Sequence, residues 1–147
     1  MGNDSLEHDR NRVNLFGIGM VRNEADIVEL WVRYNLKLLD ALIVIDHRSE
    51  DNTPQILESL RCEGLQISIH QWADHSHSQA EAMSATVRPY LGRREAAYFV
   101  PLDADELLIA TRDELIQSLL GLPEGHVGAI PWRTFLPEVE QKGNFFF

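Results

Sequence analysis

The sequence predicts an α/β fold in which helices cover both faces of a mostly parallel β-sheet. Two observations favour this fold. Short apolar segments alternate with segments of helical periodicity, and polar side chains directly follow several of the apolar segments. Buried parallel strands typically form continuous apolar runs that are connected by helices. A chain of 147 residues also has room for one domain with a substantial core.

Five apolar segments predict the strands. They are Val13–Val21, Ala41–Ile45, Gln66–Trp72, Ala96–Pro101 and Val127–Trp132. Pro131 weighs against the last segment, because proline cannot donate a hydrogen bond to a strand ladder. We expect the first four strands in the order 3-2-1-4. Right-handed crossovers then place their carboxyl ends at one rim of the sheet.

Four segments between the strands carry apolar residues at helical spacing. The first, Glu24–Leu39, is expected to bury one face, formed by Ile27, Leu30, Trp31, Tyr34 and Leu38. The second is expected to begin with Thr53 as N-cap and Pro54 at the first helical position. Ser78-x-x-Glu81 and Thr111-x-x-Glu114 match the capping boxes that open helices.

The composition limits the classes of function. A net charge of −10 argues against nucleic-acid binding, which requires a concentrated basic surface. The single cysteine, Cys62, excludes an internal disulfide and a cysteine-based zinc cluster. The sequence contains no apolar run of the roughly 18–20 residues that span a membrane. We expect residues 1–12 to be a flexible tail, residues 13–147 to form the α/β domain, and the protein to be cytoplasmic.

An acidic pair, Asp103 and Asp105, follows the fourth predicted strand with Ala104 between them. Because side chains alternate along extended backbone, both carboxylates can point to the same side. Carboxylate oxygens suit Mg²⁺ and Mn²⁺, and magnesium commonly binds one or two carboxylates together with substrate phosphates. The pair therefore predicts a metal–diphosphate site.

Two more polar groups follow the first and second strands at the same rim, Arg22-Asn23-Glu24 and Asp46-His47-Arg48. Open α/β sheets bind ligands at this rim, so the clustering predicts a binding site. Purely structural roles stay open for some of these residues. Glu24 could be a first-turn acid favoured by the helix dipole, and Asp46 and the segment Ser49–Asn52 could form a turn.

Three ordered motifs resemble glycosyltransferase family 2, and most closely the branch whose first loop reads Arg-Asn-Glu-Ala-Asp. They lie at residues 20–27, 44–53 and 102–106, and the similarity extends from about Val13 to Ile109. The resemblance implies the GT-A fold, which joins a Rossmann-like nucleotide-binding half to an acceptor-binding half. It also implies transfer of a sugar from a nucleotide-diphosphate sugar to an acceptor that the sequence does not identify, with a divalent cation, Mn²⁺ or Mg²⁺.

The resemblance implies that Asp105 ligates the metal and that Asp103 approaches the ribose, with a weaker contribution to the metal. The expected nucleotide-sugar-binding residues are Arg22, Asn23, Glu24, Asp46, Arg48, Asp103 and Ala104. A uridine nucleotide is the first expectation. His47 stands where many family members carry a second aspartate, so recognition of the base could differ.

The family's catalytic base and much of its acceptor site usually follow the fifth strand. No later carboxylate or histidine stands in an obvious base position, and Glu138 and Glu140 have no assigned place. The sequence therefore leaves the catalytic residue unassigned, and we expect an incomplete GT-A domain, truncated on its C-terminal side. Phe145–Phe147 are expected to be covered by a partner, for example in a homodimer.

Three alternatives need weighing. Phosphatases that form an aspartyl phosphate also carry Asp-x-Asp, but usually after the first strand. A non-catalytic domain that binds a nucleotide sugar or a protein is the stronger competitor. His75 and His77, near His70, are expected to be solvated loop residues rather than metal ligands, because their spacing is loose and no second motif supports a metal site.

Overall fold

The computed structural model describes residues 13–73, 78–90, 97–123, 127–131 and 133. The strands are β1 (Asn14–Val21), β2 (Ala41–Asp46), β3 (Ile67–Gln71) and β4 (Ala97–Pro101). The helices are α1 (Val28–Asn35), α2 (Thr53–Cys62), α3 (Gln79–Val87) and α4 (Arg112–Leu120), with a short 3₁₀ turn at Arg88–Tyr90. The predictions for residues 1–12, His75, His77, Trp132, Glu138, Glu140 and Phe145–Phe147 lie outside the described residues.

The four strands form one parallel sheet in the order β3-β2-β1-β4. The predicted α/β class and strand order are therefore confirmed. From β1 the chain builds outward through β2 to β3 and then crosses to the other side of β1 for β4. The strand order thus reverses at β1, and such a switch point opens a crevice at the carboxyl ends of the two neighbouring strands.

Side chains of the strands alternate between two apolar clusters, one on each face of the sheet. Leu15, Leu42 and Val44 belong to the larger cluster, which also contains buried residues of α1, α2 and α4. Ile18 and Ile43 belong to the smaller cluster with α3. Helices therefore cover both faces, as the sequence predicts.

Two glycines of β1 lie on the face that α1 covers. A Cβ atom on Gly19 would lie 2.7 Å from the Leu102 carbonyl oxygen and 2.7 Å from Trp31 Cζ2. The Trp31 side chain is fully buried. The missing side chain therefore allows the indole to pack directly against the strand, and Gly17 provides similar space for Leu39 and Leu42.

Helix α1 is shorter than predicted and buries a different stripe. It spans Val28–Asn35 instead of Glu24–Leu39, because residues 25–27 form a turn before it and residues 36–38 a turn after it. The buried residues of the helix are Val28, Trp31, Val32 and Asn35. The prediction that Leu30 faces the core is wrong, since Leu30 is 54% exposed.

Two other local predictions are also wrong. Thr53 is the first helical residue of α2, and Asn52 is the N-cap. The Thr53 hydroxyl is engaged elsewhere, because it accepts a hydrogen bond from the Glu24 amide at 2.8 Å. Residues 127–131, the described part of the fifth predicted strand, form no strand and are exposed, with Val127 95% exposed. Pro131 fits this outcome, because it cannot donate to a ladder.

The cap of α4 agrees with the sequence. Thr111 and Glu114 form the predicted capping box in both directions. At α3 the Ser78 hydroxyl accepts from the Glu81 amide at 3.3 Å, which is the first half of the same motif. Both helices therefore begin where the sequence places them.

A buried amide joins α1 to the segment after β4. We call residues 102–108 the acidic loop. The Asn35 side chain donates to the Glu106 carbonyl oxygen at 3.0 Å and accepts from the Leu108 amide at 3.0 Å. Asn35 is fully buried, so these two bonds satisfy polar groups that water cannot reach.

Replacing Gly19 with alanine should destabilise the fold by about 1–3 kcal/mol, because the added methyl group overlaps backbone and a buried ring. Gly121→Ala is the matched control, since the nearest atoms to a new Cβ there lie at an ordinary 3.6 Å. The control should change stability by less than about 1 kcal/mol. Urea unfolding of both variants measures the difference, and equal effects would contradict the packing argument.

Asn35→Ala should cost about 2–4 kcal/mol, because it leaves the buried Leu108 amide without its acceptor and removes the donor to the Glu106 carbonyl oxygen. Asn52→Ala serves as control, since Asn52 is exposed and makes no side-chain cap bond. That change should stay within about 1 kcal/mol, because this N-cap side chain makes no hydrogen bond to the helix. A small effect of Asn35→Ala in thermal unfolding would show that the acidic loop does not depend on this amide.

Candidate functional site

A cleft of about 410 Å³ opens at the carboxyl ends of β1, β2 and β4. Its lining residues are Met20, Val21, Arg22, Glu24, His47, Gln79, Asp103, Ala104 and Asp105. The cleft lies at the switch point of the sheet, where open α/β folds bind their ligands. The structure therefore brings together residues that the sequence places after three different strands.

The acidic loop keeps the alternation of a strand beyond the end of β4. Leu102 and Ala104 are buried, at 4% and 7% exposure, whereas Asp103 and Asp105 are exposed. Asp103, Ala104 and Asp105 all line the cleft. The Leu102 amide also continues the sheet pairing by donating to the Ile18 carbonyl oxygen at 2.9 Å. Both carboxylates thus lie on the cleft side, as the spacing predicts.

Three predicted binding residues do not line this cleft. Asp46 is 1% exposed, and its Oδ1 accepts from the Ser49 amide at 3.1 Å, which is turn chemistry. Asn23 and Arg48 adopt left-handed backbone angles, with φ of 57° and 56°. Asn23 Oδ1 accepts from the Glu50 amide at 2.8 Å. Their contact with a ligand stays a prediction.

Hydrogen bonds join the loop after β1 to the loop after β2. We call residues 22–27 the first loop and residues 46–53 the second loop. Three amides of the first loop donate to side chains of the second, Asn23 to Ser49 Oγ (3.0 Å), Glu24 to Thr53 Oγ1 (2.8 Å) and Ala25 to Asp51 Oδ2 (3.1 Å). In dinucleotide-binding folds, amides at the start of the first helix bind phosphate. Here these three amides are engaged within the protein.

Asp51 supports this arrangement with a second bond. Its Oδ1 accepts from the Thr53 amide at 2.9 Å. The hydrogen bonds from Thr53 and Ala25 lower the pKa of the Asp51 carboxyl below its ordinary value. The carboxylate is therefore ionised at neutral pH and acts as an acceptor for the loops.

Negative charge accumulates in the cleft. Glu24, Asp103 and Asp105 line it, whereas Arg22 is the one cation among its described lining residues. Burial raises the pKa of Glu24, and the nearby carboxylates of Asp26, Asp105 and Asp51 raise it further. Such a site favours a bound cation that offsets the repulsion between carboxylates.

The donor set fits a hard divalent cation, because its oxygens are carboxylates. Among the described residues, no group of three or more histidine, cysteine or acidic side chains could hold a metal ion by itself. A cation at Asp105 would therefore need oxygens from a ligand or from water to complete its shell.

Gln79 is the polar cleft residue that the sequence analysis missed. It is the first residue of α3, and its side-chain amide donates to Asp103 Oδ1 at 3.0 Å. A signal was present, because the cap at Ser78 places Gln79 in the first turn of a crossover helix. The spacing alone does not reveal which first-turn side chain reaches the rim.

His47 directly follows the end of β2. It is 4% exposed, lines the cleft, and its amide donates to the Val21 carbonyl oxygen at 2.9 Å. The imidazole therefore belongs to the wall of the cleft and not to the outer surface.

In the part of the chain that the structure describes, no helix is long and apolar enough to cross a membrane.

Comparisons with known proteins add a fold relationship. No protein-family model and no curated protein matches the chain. A solved structure of the mannosyltransferase PcManGT from Pyrobaculum calidifontis, in complex with GDP-Man and Mn²⁺, matches with a TM-score of 0.56 and 24% identity. The match covers 78% of this chain and 34% of that protein. At this identity the match shows a shared Rossmann-like α/β fold, and the present chain spans about a third of the other protein.

Proposed function

We propose that this chain forms the nucleotide-sugar-binding part of a metal-dependent glycosyltransferase of family 2 type. The observation that carries the proposal is the position of Asp103 and Asp105. Both side chains are exposed in the cleft at the switch point, and the residues that alternate with them along the acidic loop are buried. The three ordered motifs and the fold shared with a mannosyltransferase support it.

A divalent cation, Mn²⁺ or Mg²⁺, is part of the proposal. Asp105 is the main anchor, and Asp103 contributes less. Two carboxylates leave most of an octahedral shell to phosphate and water. When bound, the cation acts as a Lewis acid that offsets the charge developing on a diphosphate leaving group.

The engaged amides of the first loop strengthen the case for a cation. A diphosphate in this cleft cannot use the amides of Asn23, Glu24 and Ala25, because side chains of the second loop already accept from them. Arg22 supplies one positive charge to the cleft. The remaining negative charge of the diphosphate and of the carboxylates needs another cation.

A guanosine nucleotide is the first donor to test. The matched mannosyltransferase was solved with GDP-Man, and His47 stands in the cleft where many family members carry an acidic residue. We therefore place GDP-linked sugars ahead of UDP-linked sugars. Transfer or hydrolysis of radiolabelled GDP-mannose would distinguish a transferase from a domain that only binds the donor.

Asp105→Asn should weaken Mn²⁺-dependent GDP binding at least tenfold, or about 1.4 kcal/mol. The substitution keeps the size of the side chain but removes the charge that pairs with the cation. Calorimetric titration of GDP with and without Mn²⁺ measures the effect. Asp113→Asn, an exposed change in the first turn of α4, is the matched control and should bind as the unsubstituted chain does.

The outcomes are distinct. Equal affinity of the Asp105→Asn variant and the unsubstituted chain would remove the metal role of this carboxylate. Absence of Mn²⁺-dependent binding by the unsubstituted chain to GDP, UDP and their sugars would contradict the proposed function.

Glu24→Gln should raise the melting temperature of the metal-free chain at pH 7. The pKa of Glu24 is raised in the folded state, so its ionised form costs stability at every pH above that raised pKa. As the pH falls through the raised pKa to the ordinary value, the gain should disappear, because both chains are then neutral at this position. Thermal unfolding from about pH 4 to about pH 8 tests this, because the range extends from the ordinary glutamate pKa to well above it.

With GDP and Mn²⁺ present, the order of the two chains should reverse at pH 7. A cation in the cleft offsets the repulsion between the Glu24 carboxylate and its acidic neighbours. The negative charge of Glu24 therefore stabilises the complex, whereas it destabilises the metal-free chain. A Glu24→Gln variant that is more stable than the unsubstituted chain under both conditions would count against a cation in this cleft.

A further inference from the structure

We propose that Gln79 is a positioning residue that orients the Asp103 carboxylate toward the ribose hydroxyls of the nucleotide. This inference rests on the proposed function and deepens it. It explains how two carboxylates one residue apart take different tasks, Asp105 on the cation and Asp103 on the sugar of the nucleotide.

The contacts fix Asp103 at two points. Its carboxylate oxygen Oδ1 accepts from Gln79 Nε2 at 3.0 Å. Its backbone amide donates to Glu106 Oε2 at 3.0 Å, and the Glu106 amide donates back to the Asp103 carbonyl oxygen at 3.0 Å. The backbone and the side-chain direction of Asp103 are thus set independently, the first from within the acidic loop and the second from α3.

Gln79 has a firm support. The N-cap bond from Ser78 fixes the start of α3 one residue before it. Ala82, in the next turn, is fully buried and packs with Ile18, Ile43 and Ile45 on the sheet. The Gln79 side chain therefore reaches Asp103 from a helix that the core holds in place.

The chemistry of the amide suits this task. A neutral donor holds a carboxylate without neutralising it, whereas an arginine or lysine would form an ion pair and compete with a bound cation. Because Oδ1 is engaged by Gln79, bidentate coordination of a metal by Asp103 is disfavoured. Lone pairs of the carboxylate that Gln79 does not use can accept hydrogen bonds from a vicinal diol.

The test compares two ligands that differ only in the groups that Asp103 is proposed to bind. GDP and 2′,3′-dideoxy-GDP are titrated, each with Mn²⁺, into the unsubstituted chain, Gln79→Ala and Gln79→Glu. Gln117→Ala, which removes another exposed helical glutamine in α4, is the control. Melting temperatures confirm that each variant is folded.

The unsubstituted chain should prefer GDP over the dideoxy ligand. Gln79→Ala should lose at least fivefold in affinity for GDP and less than twofold for the dideoxy ligand, so the preference collapses while Mn²⁺ dependence remains. Gln79→Glu should lose the preference as well, since it keeps the length of the side chain but replaces the donor with a second carboxylate. Gln117→Ala should leave both affinities unchanged.

Each other outcome overturns the inference. An equal loss for both ligands would assign Gln79 to the metal or to the general structure of the cleft. Unchanged affinities in Gln79→Ala would show that the bond to Asp103 has no part in binding, with the proposed function still standing. Failure of the unsubstituted chain to bind GDP with Mn²⁺ would overturn this inference and count against the proposed function together with it.

Discussion

The parallel pairing of β1 with both β2 and β4 is the constraint on which the rest of the structure depends. Val21 at the end of β1 pairs with Asp46 at the end of β2, so the first and second loops leave the sheet side by side. β4 ends opposite Ile18, while β1 continues to Val21. The acidic loop therefore runs alongside the last residues of β1, and the cleft forms in the space between them.

Much of this arrangement could be predicted from the sequence, because continuous apolar runs mark the strands and parallel crossovers fix the rim. The period of two also predicted that the Asp103 and Asp105 side chains lie on the same side of the chain. The start of α1 at Val28 could not be predicted, because the turn before it is held by contacts with another loop, in which the amides of Glu24 and Ala25 donate to Thr53 and Asp51. Gln79 was missed for a related reason, since its partner lies 24 positions away along the chain.

The motifs that resemble a glycosyltransferase family divide into two structural roles. Arg22 and Glu24 line the cleft, whereas the Asn23 side chain between them accepts from the second loop. The second motif divides in the same way, because His47 lines the cleft and Asp46 closes a turn. A match to such a motif therefore combines residues that build the rim with residues that line the cleft.

The hydrogen bonds between the first and second loops have a consequence for the entropy of binding. Ordering a residue's backbone costs about 1–2 kcal/mol at room temperature. In this chain the backbone of residues 23–25 is already held by three side chains of the neighbouring loop before any ligand arrives. The conformational freedom of this wall is lost during folding and not during association. A ligand that contacts this wall therefore loses little affinity to the ordering of residues 23–25.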